Sequence, residues 1–377
     1  MLKDDKNKIP EVFFTFKNES ENEEELKNKL KALIDKRNEL LISKGIDIQN
    51  NKVINIKEKM ESGIIGFVIG DAFGVPFEFL SSESLKNNNI IDMGGYKSHN
   101  VPEGTWSDDT SLMIAAMDSI QENGTINFKD IMYKFTEWID YAKYTSTDKL
   151  FDIGMSTSMA IANFKKGVEA TNCGTRGLYE NGNGSLMRIL PFVYYLKYSD
   201  YSEKERTTLI NQASSLTHAH EISCLGCKIY ADYVTLLLDG IDKLKALELL
   251  KQIDYSKYYS SESLKCYERI LKGDLKSLSI DEIKSSGYVV DSLEASIWCT
   301  LKSNTYEEAV VTAVNLGEDT DTIGAITGSI NGIIYGKNSI PERWLNKLRR
   351  KEYLESLTNL FINNIYSQKQ NKTLRNI

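Results

Sequence analysis

Two apolar stretches of this chain place glycine at every fourth position: Gly66, Gly70 and Gly74 in the first, and Gly324, Gly328, Gly332 and Gly336 in the second. On a helix that spacing gathers the glycines on one face, where two backbones can approach closely. Glycine inside a helix costs about 1 kcal/mol relative to alanine, so a stripe of them predicts a packing purpose. Both runs predict helices at the centre of a bundle. Asp71 and Asn331 interrupt the runs, so neither reads as a membrane span. Helical periodicity continues through most of residues 58–345, with few β-branched alternations and no solenoid-type repeat. The predicted class is all-α.

A chain of 377 residues that is 41% hydrophobic can bury a substantial core without disulfides. Its five cysteines (Cys173, Cys224, Cys227, Cys266, Cys299) are odd in number and scattered, which predicts reduced thiols and a cytoplasmic setting. The Lys- and Asp-rich start has no apolar core of a signal peptide. A formal charge of −7 argues against nucleic acid as the main partner. Three regions are expected: an extension at 1–57, a main domain at 58–366, and a polar, basic, frayed tail at 367–377. The extension carries an aromatic run at 12–16 and then a helix signal. Ser20 and Glu23 form a capping box, and Leu26, Leu30, Leu33, Ile34, Leu40 and Leu41 form a stripe. Such a helix either packs on the main body or is an arm that docks a protein partner.

Two acidic clusters each precede a helical apolar run: GTWSDDT, with Ser107, Asp108 and Asp109, and GEDTDT, with Asp319, Asp321 and Thr322. Alone, each reads equally as ordinary helix capping, because acids are welcome in a first turn. Together they offer hydroxyls and four carboxylates at two helix starts. If those starts converge, the charge needs cations to neutralise it. All-oxygen donors point to magnesium or manganese, and a pair of such ions is a familiar way to activate water. Glu78, after a helix stopped by Pro76, is a further carboxylate: a ligand, a base or a surface acid. In NGNGSLMR, the glycines around Asn183, Gly184 and Ser185 allow backbone N–H groups to turn towards a phosphate or ribose, and Ser185 is expected to open the next helix. An interhelical turn explains the same residues. In THAHEIS, His220 with Cys224 and Cys227 invites a zinc reading, but helical spacing suits a tetrahedron poorly and core cysteines explain the pattern better.

The order and content of these motifs resemble the ADP-ribosylglycohydrolase family, which includes dinitrogenase reductase-activating glycohydrolases and ADP-ribosylarginine hydrolases. The matching stretches are GFVIGDAFGVPFEF, GTWSDDTSLMIAAM, NGNGSLMRILPF, THAHEIS, GYVVDSLEASIW and AVNLGEDTDTIGAITGSINGIIYG, collinear across roughly residues 60–340. The resemblance implies an all-α orthogonal bundle with a two-metal site in a central cleft. It implies metal ligands at Ser107, Asp108, Asp109, Asp319, Asp321 and Thr322, with Glu78 near or on the metals. It implies ADP-ribose contacts at Asn183, Gly184, Ser185 and His218, and Tyr288 looks similar to a substrate-side loop residue. The implied reaction is hydrolysis at the anomeric carbon, with Asp109 or Glu78 handling protons, on an ADP-ribosylated protein or small molecule. Ser107 stands where some members have threonine. Glu318 stands where glycine is frequent, adding charge beside the site. Residues 1–57 lie outside the resemblance. The rival expectations are a catalytically silent ADP-ribose-binding protein on the same scaffold, an immunity protein that reverses and blocks an ADP-ribosylating toxin, and a metal-free glycosidase.

Overall fold

The two glycine stripes meet each other. The computed structural model describes residues 56–86 and 89–375. In chain order its longer helices begin with α1 (Ile56–Gly74), α2 (Asp108–Asn123), α3 (Phe128–Tyr141), α4 (Met155–Lys165), α5 (Leu190–Lys197) and α6 (Glu203–Ser215). They continue with α7 (Glu221–Leu238), α8 (Lys243–Leu250), α9 (Val289–Lys302), α10 (Tyr306–Val314), α11 (Thr320–Tyr335) and α12 (Lys351–Arg375). Short helical turns join them. Among the described residues the only extended pairings are two isolated bridges, Thr175 with His218 and Gly182 with Tyr288. The all-α expectation holds. The predicted capped helix of the extension lies outside the described residues.

α1 and α11 run antiparallel, glycine face to glycine face. A Cβ added at Gly66 would overlap the carbonyl oxygen of Gly328, one at Gly70 that of Gly324, and one at Gly74 that of Thr320. The pairing steps four residues forward on one helix and four back on the other, as one face of each helix requires. Tyr306 on α10 donates its hydroxyl to the carbonyl of Gly66 at 2.7 Å. From Ser62 to Gly74 every residue of α1 is buried. With the turn to Phe77, this segment is long and apolar enough by itself to cross a bilayer, yet 94% of its apolar 18-residue window lies inside the protein. Its apolar character is spent on neighbouring helices, which matches a helix that is hydrophobic all round.

One carboxylate sits in this buried part of α1, and it has a structural task. Asp71 accepts the backbone N–H of Ser107 at 2.9 Å and that of Thr110 at 3.1 Å, with the Thr110 hydroxyl at 2.5 Å. It therefore satisfies N–H groups that the start of α2 leaves free. Burial nevertheless raises its pKa to about 6. At its far end, α1 lies against Thr320 and Asp321, the first turn of α11. A single core helix thus holds the starts of α2 and α11 side by side.

Candidate active site

Both acidic clusters sit at the helix starts expected of them. Ser107 caps α2, its Oγ accepting the N–H of Asp109 at 3.2 Å. Asp319 occupies the residue before α11 without a capping bond of its own. The chain after α1 makes a 3₁₀ turn at Val75–Phe77, with Pro76 at its second position, and exits at Glu78. Phe79 then donates its N–H to the carbonyl of Glu318 at 2.7 Å, and Glu318 donates to Leu80 at 2.8 Å. Two loops far apart in sequence are stitched together there, and Glu78 arrives beside Asp319 and Asp321.

Carboxylate oxygens of Glu78, Asp319 and Asp321 lie within 4.8 Å of one another. A second grouping of the same tightness joins Glu78 with His99 and Asp152. Thr322 of α11 lies near enough to Asp109 of α2 to favour its charged form, so the two helix starts are neighbours. Asp108, Asp109 and Asp321 are all raised well above the usual carboxylate range, first by burial and then by one another's charge and that of Asp71, Glu78, Asp152 or Asp319. Burial likewise raises Asp319, and lifts Glu78 to about 7 against its bond to His99. Two buried oxygens, Oδ2 of Asp109 and Oδ1 of Asp321, have no hydrogen-bond partner. Clustered acids with orphaned inward oxygens are what a hard divalent cation fits. The tight groupings omit Asp108 and Asp109, whose charges are felt from within them.

The remaining expected residues separate by what they touch. Asn183 does not present a free amide: its Nδ2 donates to Asp319 at 2.6 Å and to Ser292 at 2.9 Å. The glycine loop therefore braces the acidic cluster. Gly184 packs so closely on His218 that an added Cβ would lie 2.7 Å from the ring. His218 is buried, and Tyr288 is partly exposed on the strand-like bridge to Gly182. Ser185 departs from expectation. It is fully buried, receives a bond from Ser214 at 2.9 Å, and opens only the three-residue 3₁₀ turn Leu186–Arg188. Its hydroxyl faces the core because the turn continues inward before α5 begins. His220 caps α7 through Nδ1 at 3.3 Å, while Cys224 and Cys227 are buried, so this segment is helix and core.

Sequence reading missed Asp71, His99 and Asp152. An acid inside an apolar glycine stripe was a usable signal for Asp71. The other two sit in loops with no pattern around them. His99 bonds Glu78 Oε2 at 2.5 Å, which holds the imidazole above its ordinary range, and its ring lies between those of Phe79 and Phe151.

The model of the ADP-ribosylglycohydrolase family matches residues 53–371. An ADP-ribosylarginine hydrolase Tri1 of Serratia proteamaculans is 29% identical over 304 residues, 80% of this chain and 78% of that protein. An ADP-ribosyl-[dinitrogen reductase] glycohydrolase of Rhodospirillum rubrum is 25% identical, covering 79% of this chain and 92% of its own. Among solved structures, an ADP-ribosylglycohydrolase-related protein complex superposes with a TM-score of 0.69 at 25% identity, over 82% of this chain and 99% of that one.

Proposed function

The chain belongs to the ADP-ribosylglycohydrolase family, and from that premise we propose that it is a metal-assisted hydrolase that frees ADP-ribose from a modified acceptor, with ADP-ribosylarginine favoured. The observation that carries this reading is the set of Glu78, Asp319 and Asp321 oxygens within 4.8 Å, flanked by the unpartnered buried oxygens of Asp109 and Asp321. Ser107, Asp108, Asp109, Asp319, Asp321 and Thr322 are the groups that would hold one or two ions, magnesium or manganese, with Glu78 beside them. Bound there, such an ion supplies Lewis-acid polarisation of oxygens and eases the ionisation of water.

The chain's own side chains supply the rest. Cleavage at the anomeric carbon builds positive charge on the ribose, and we assign its stabilisation to Asp108 and Asp109. In the ion-free chain burial raises Glu78 to about 7, which makes it the acid we assign to proton transfer. His99, at 2.5 Å, is the group with which it shares that proton. Asn183 orients Asp319 through its amide. Arginine is favoured as acceptor because the Serratia and Pseudomonas putida relatives are named for ADP-ribosylarginine.

The deciding experiment is incubation with ADP-ribosylated arginine and ADP-ribosylated serine, in magnesium, in manganese and with a chelator. Ion-dependent release of ADP-ribose from the arginine substrate is expected. Tight ADP-ribose binding without release from either substrate would make the protein a binder on a hydrolase scaffold.

A further inference from the structure

Arg188 directly follows the glycine loop and is fully buried, yet none of the ion pairs among the described residues includes it. Its guanidinium lies over the Phe135 ring, 5.0 Å from the centroid. It makes one hydrogen bond, Nη2 donating to Thr217 Oγ1 at 2.7 Å, while Nε and Nη1 have no partner. A buried cation without a counter-charge is costly, so its one bond calls for an explanation.

Thr217 Oγ1 is also 2.8 Å from Nδ1 of His218. Arginine can only donate, so the single hydroxyl proton of threonine is left for the imidazole. Nδ1 then accepts, and the ring proton sits on Nε2. The other tautomer would leave the threonine proton without an acceptor in a fully buried group. Main-chain bonds hold the pair still: Thr175 donates to the carbonyl of Thr217 at 3.1 Å, and Ala219 donates to that of Thr175 at 2.8 Å. Burial, then the charge of Arg188, hold the His218 pKa down at about 3, so the ring is neutral at ordinary pH. Nε2 faces the glycine loop, 3.4 Å from where a Cβ on Gly182 would be.

We propose that Arg188, acting through Thr217, is a positioning residue that keeps His218 a neutral Nε2–H donor for an acceptor oxygen of ADP-ribose, on a phosphate or on the distal ribose. This rests on the reading that the glycine loop and His218 face ADP-ribose. The arrangement gives the site a donor that neither titrates nor turns into an acceptor.

The test compares the full chain with Thr217→Val, which removes the relay at nearly constant volume, and with Thr217→Ser, which restores it. Ring-nitrogen NMR reports the His218 tautomer, with the signal assigned from His218→Gln, and calorimetry reports affinity for ADP-ribose and for ADP. In the wild type, His218 should be Nε2-protonated and should not titrate between about pH 5 and pH 8. In Thr217→Val, the Nδ1-protonated form should appear and the ADP-ribose Kd should rise about tenfold. Thr217→Ser should recover both. A loss shared by ADP would assign the acceptor to a phosphate, and a loss confined to ADP-ribose would assign it to the distal ribose. A wild-type ring protonated on Nδ1 would overturn the proposal, as would a valine variant with unchanged tautomer and affinity, or a serine variant as weak as the valine. Wild-type protein that binds neither ligand would instead overturn the functional reading, and the assigned acceptor with it.

Discussion

Phe79 donates its backbone N–H to the carbonyl of Glu318 at 2.7 Å, and both residues hold left-handed conformations, with φ of 66° and 61°. Each is the neighbour of a site acid, Glu78 on one side and Asp319 on the other. The bond therefore sets the spacing of two carboxylates through backbone geometry. It also explains why glycine suits position 318, since a side chain in this region costs about 1 kcal/mol that glycine avoids. Glu318 is exposed and contributes its backbone here. Glu318→Gly should raise stability by up to about 1 kcal/mol in chemical denaturation. It should also lower KM for an ADP-ribosylated substrate by removing a nearby negative charge. A less stable variant would show that the Glu318 side chain holds the turn.

The contact of α1 with α11 leaves no room for a methyl group at Gly70, whose Cβ would overlap the backbone of Gly324. Gly70→Ala should cost about 1–3 kcal/mol or more, because the obstacle is main chain and cannot rotate away. Gly154 has only Thr157 Oγ1 near its Cβ position, at 3.8 Å, and a φ of −64°. Gly154→Ala should therefore cost well under half as much. Equal melting shifts in the two variants would refute the close-packed stripe.

Asp108→Asn together with Asp321→Asn should abolish binding of magnesium and manganese while helical circular dichroism stays unchanged. Without ions the double variant should be more stable than the wild type, because two buried carboxylates raised by burial and mutual repulsion are gone. Unchanged calorimetric affinity for either ion would remove these residues from the metal site.

The chelated protein should become more stable as pH falls from 8 to 6.5. Glu78 titrates near 7 in the folded chain and near 4.5 when unfolded, and Asp108, Asp109 and Asp321 are likewise raised. Over that window the folded state binds more protons than the unfolded state, so unfolding free energy decreases with rising pH. The gain should be on the order of 1 kcal/mol or more. Below 6.5 the effect is opposed by His218, whose depressed pKa makes the unfolded chain the stronger proton binder. Saturating magnesium should flatten the slope between 6.5 and 8. A chelated protein whose stability rises with pH across this window would contradict the raised carboxylates.

A chain beginning at Asn55 should keep ion binding and turnover of a small ADP-ribosylated substrate, since every residue assigned to the site lies beyond Ile56. Removal of the preceding residues should change solubility, oligomeric state or affinity for a protein partner instead. A folded, truncated chain without small-substrate turnover would make those residues part of the active site.

Much of this protein was legible from residue order alone. Glycine at every fourth position predicted helices that touch, because helical periodicity is a property of neighbouring residues. Ser107 before Asp108 and Asp319 before Thr320 marked two helix starts, because caps and acids act over a single turn. Other features depended on contacts between distant segments. Asp71 reads in sequence as a flaw in an apolar helix, and becomes a cap only when α2 starts against it. The Ser185 hydroxyl is turned into the core, where Ser214 donates to it, only because distant segments close around it. Asn183 shows a further role only in the fold, where its Nδ2 donates to Asp319, 136 residues away. His99 and Asp152 sit in loops with no local signature, and His99 is brought beside Glu78 where Ser98 donates its N–H to the carbonyl of Pro76 at 3.1 Å. Short-range order follows from the bonding of adjacent residues, whereas the partners of a buried charge are chosen by how the helices close around it, where a charge left without them is too costly to keep.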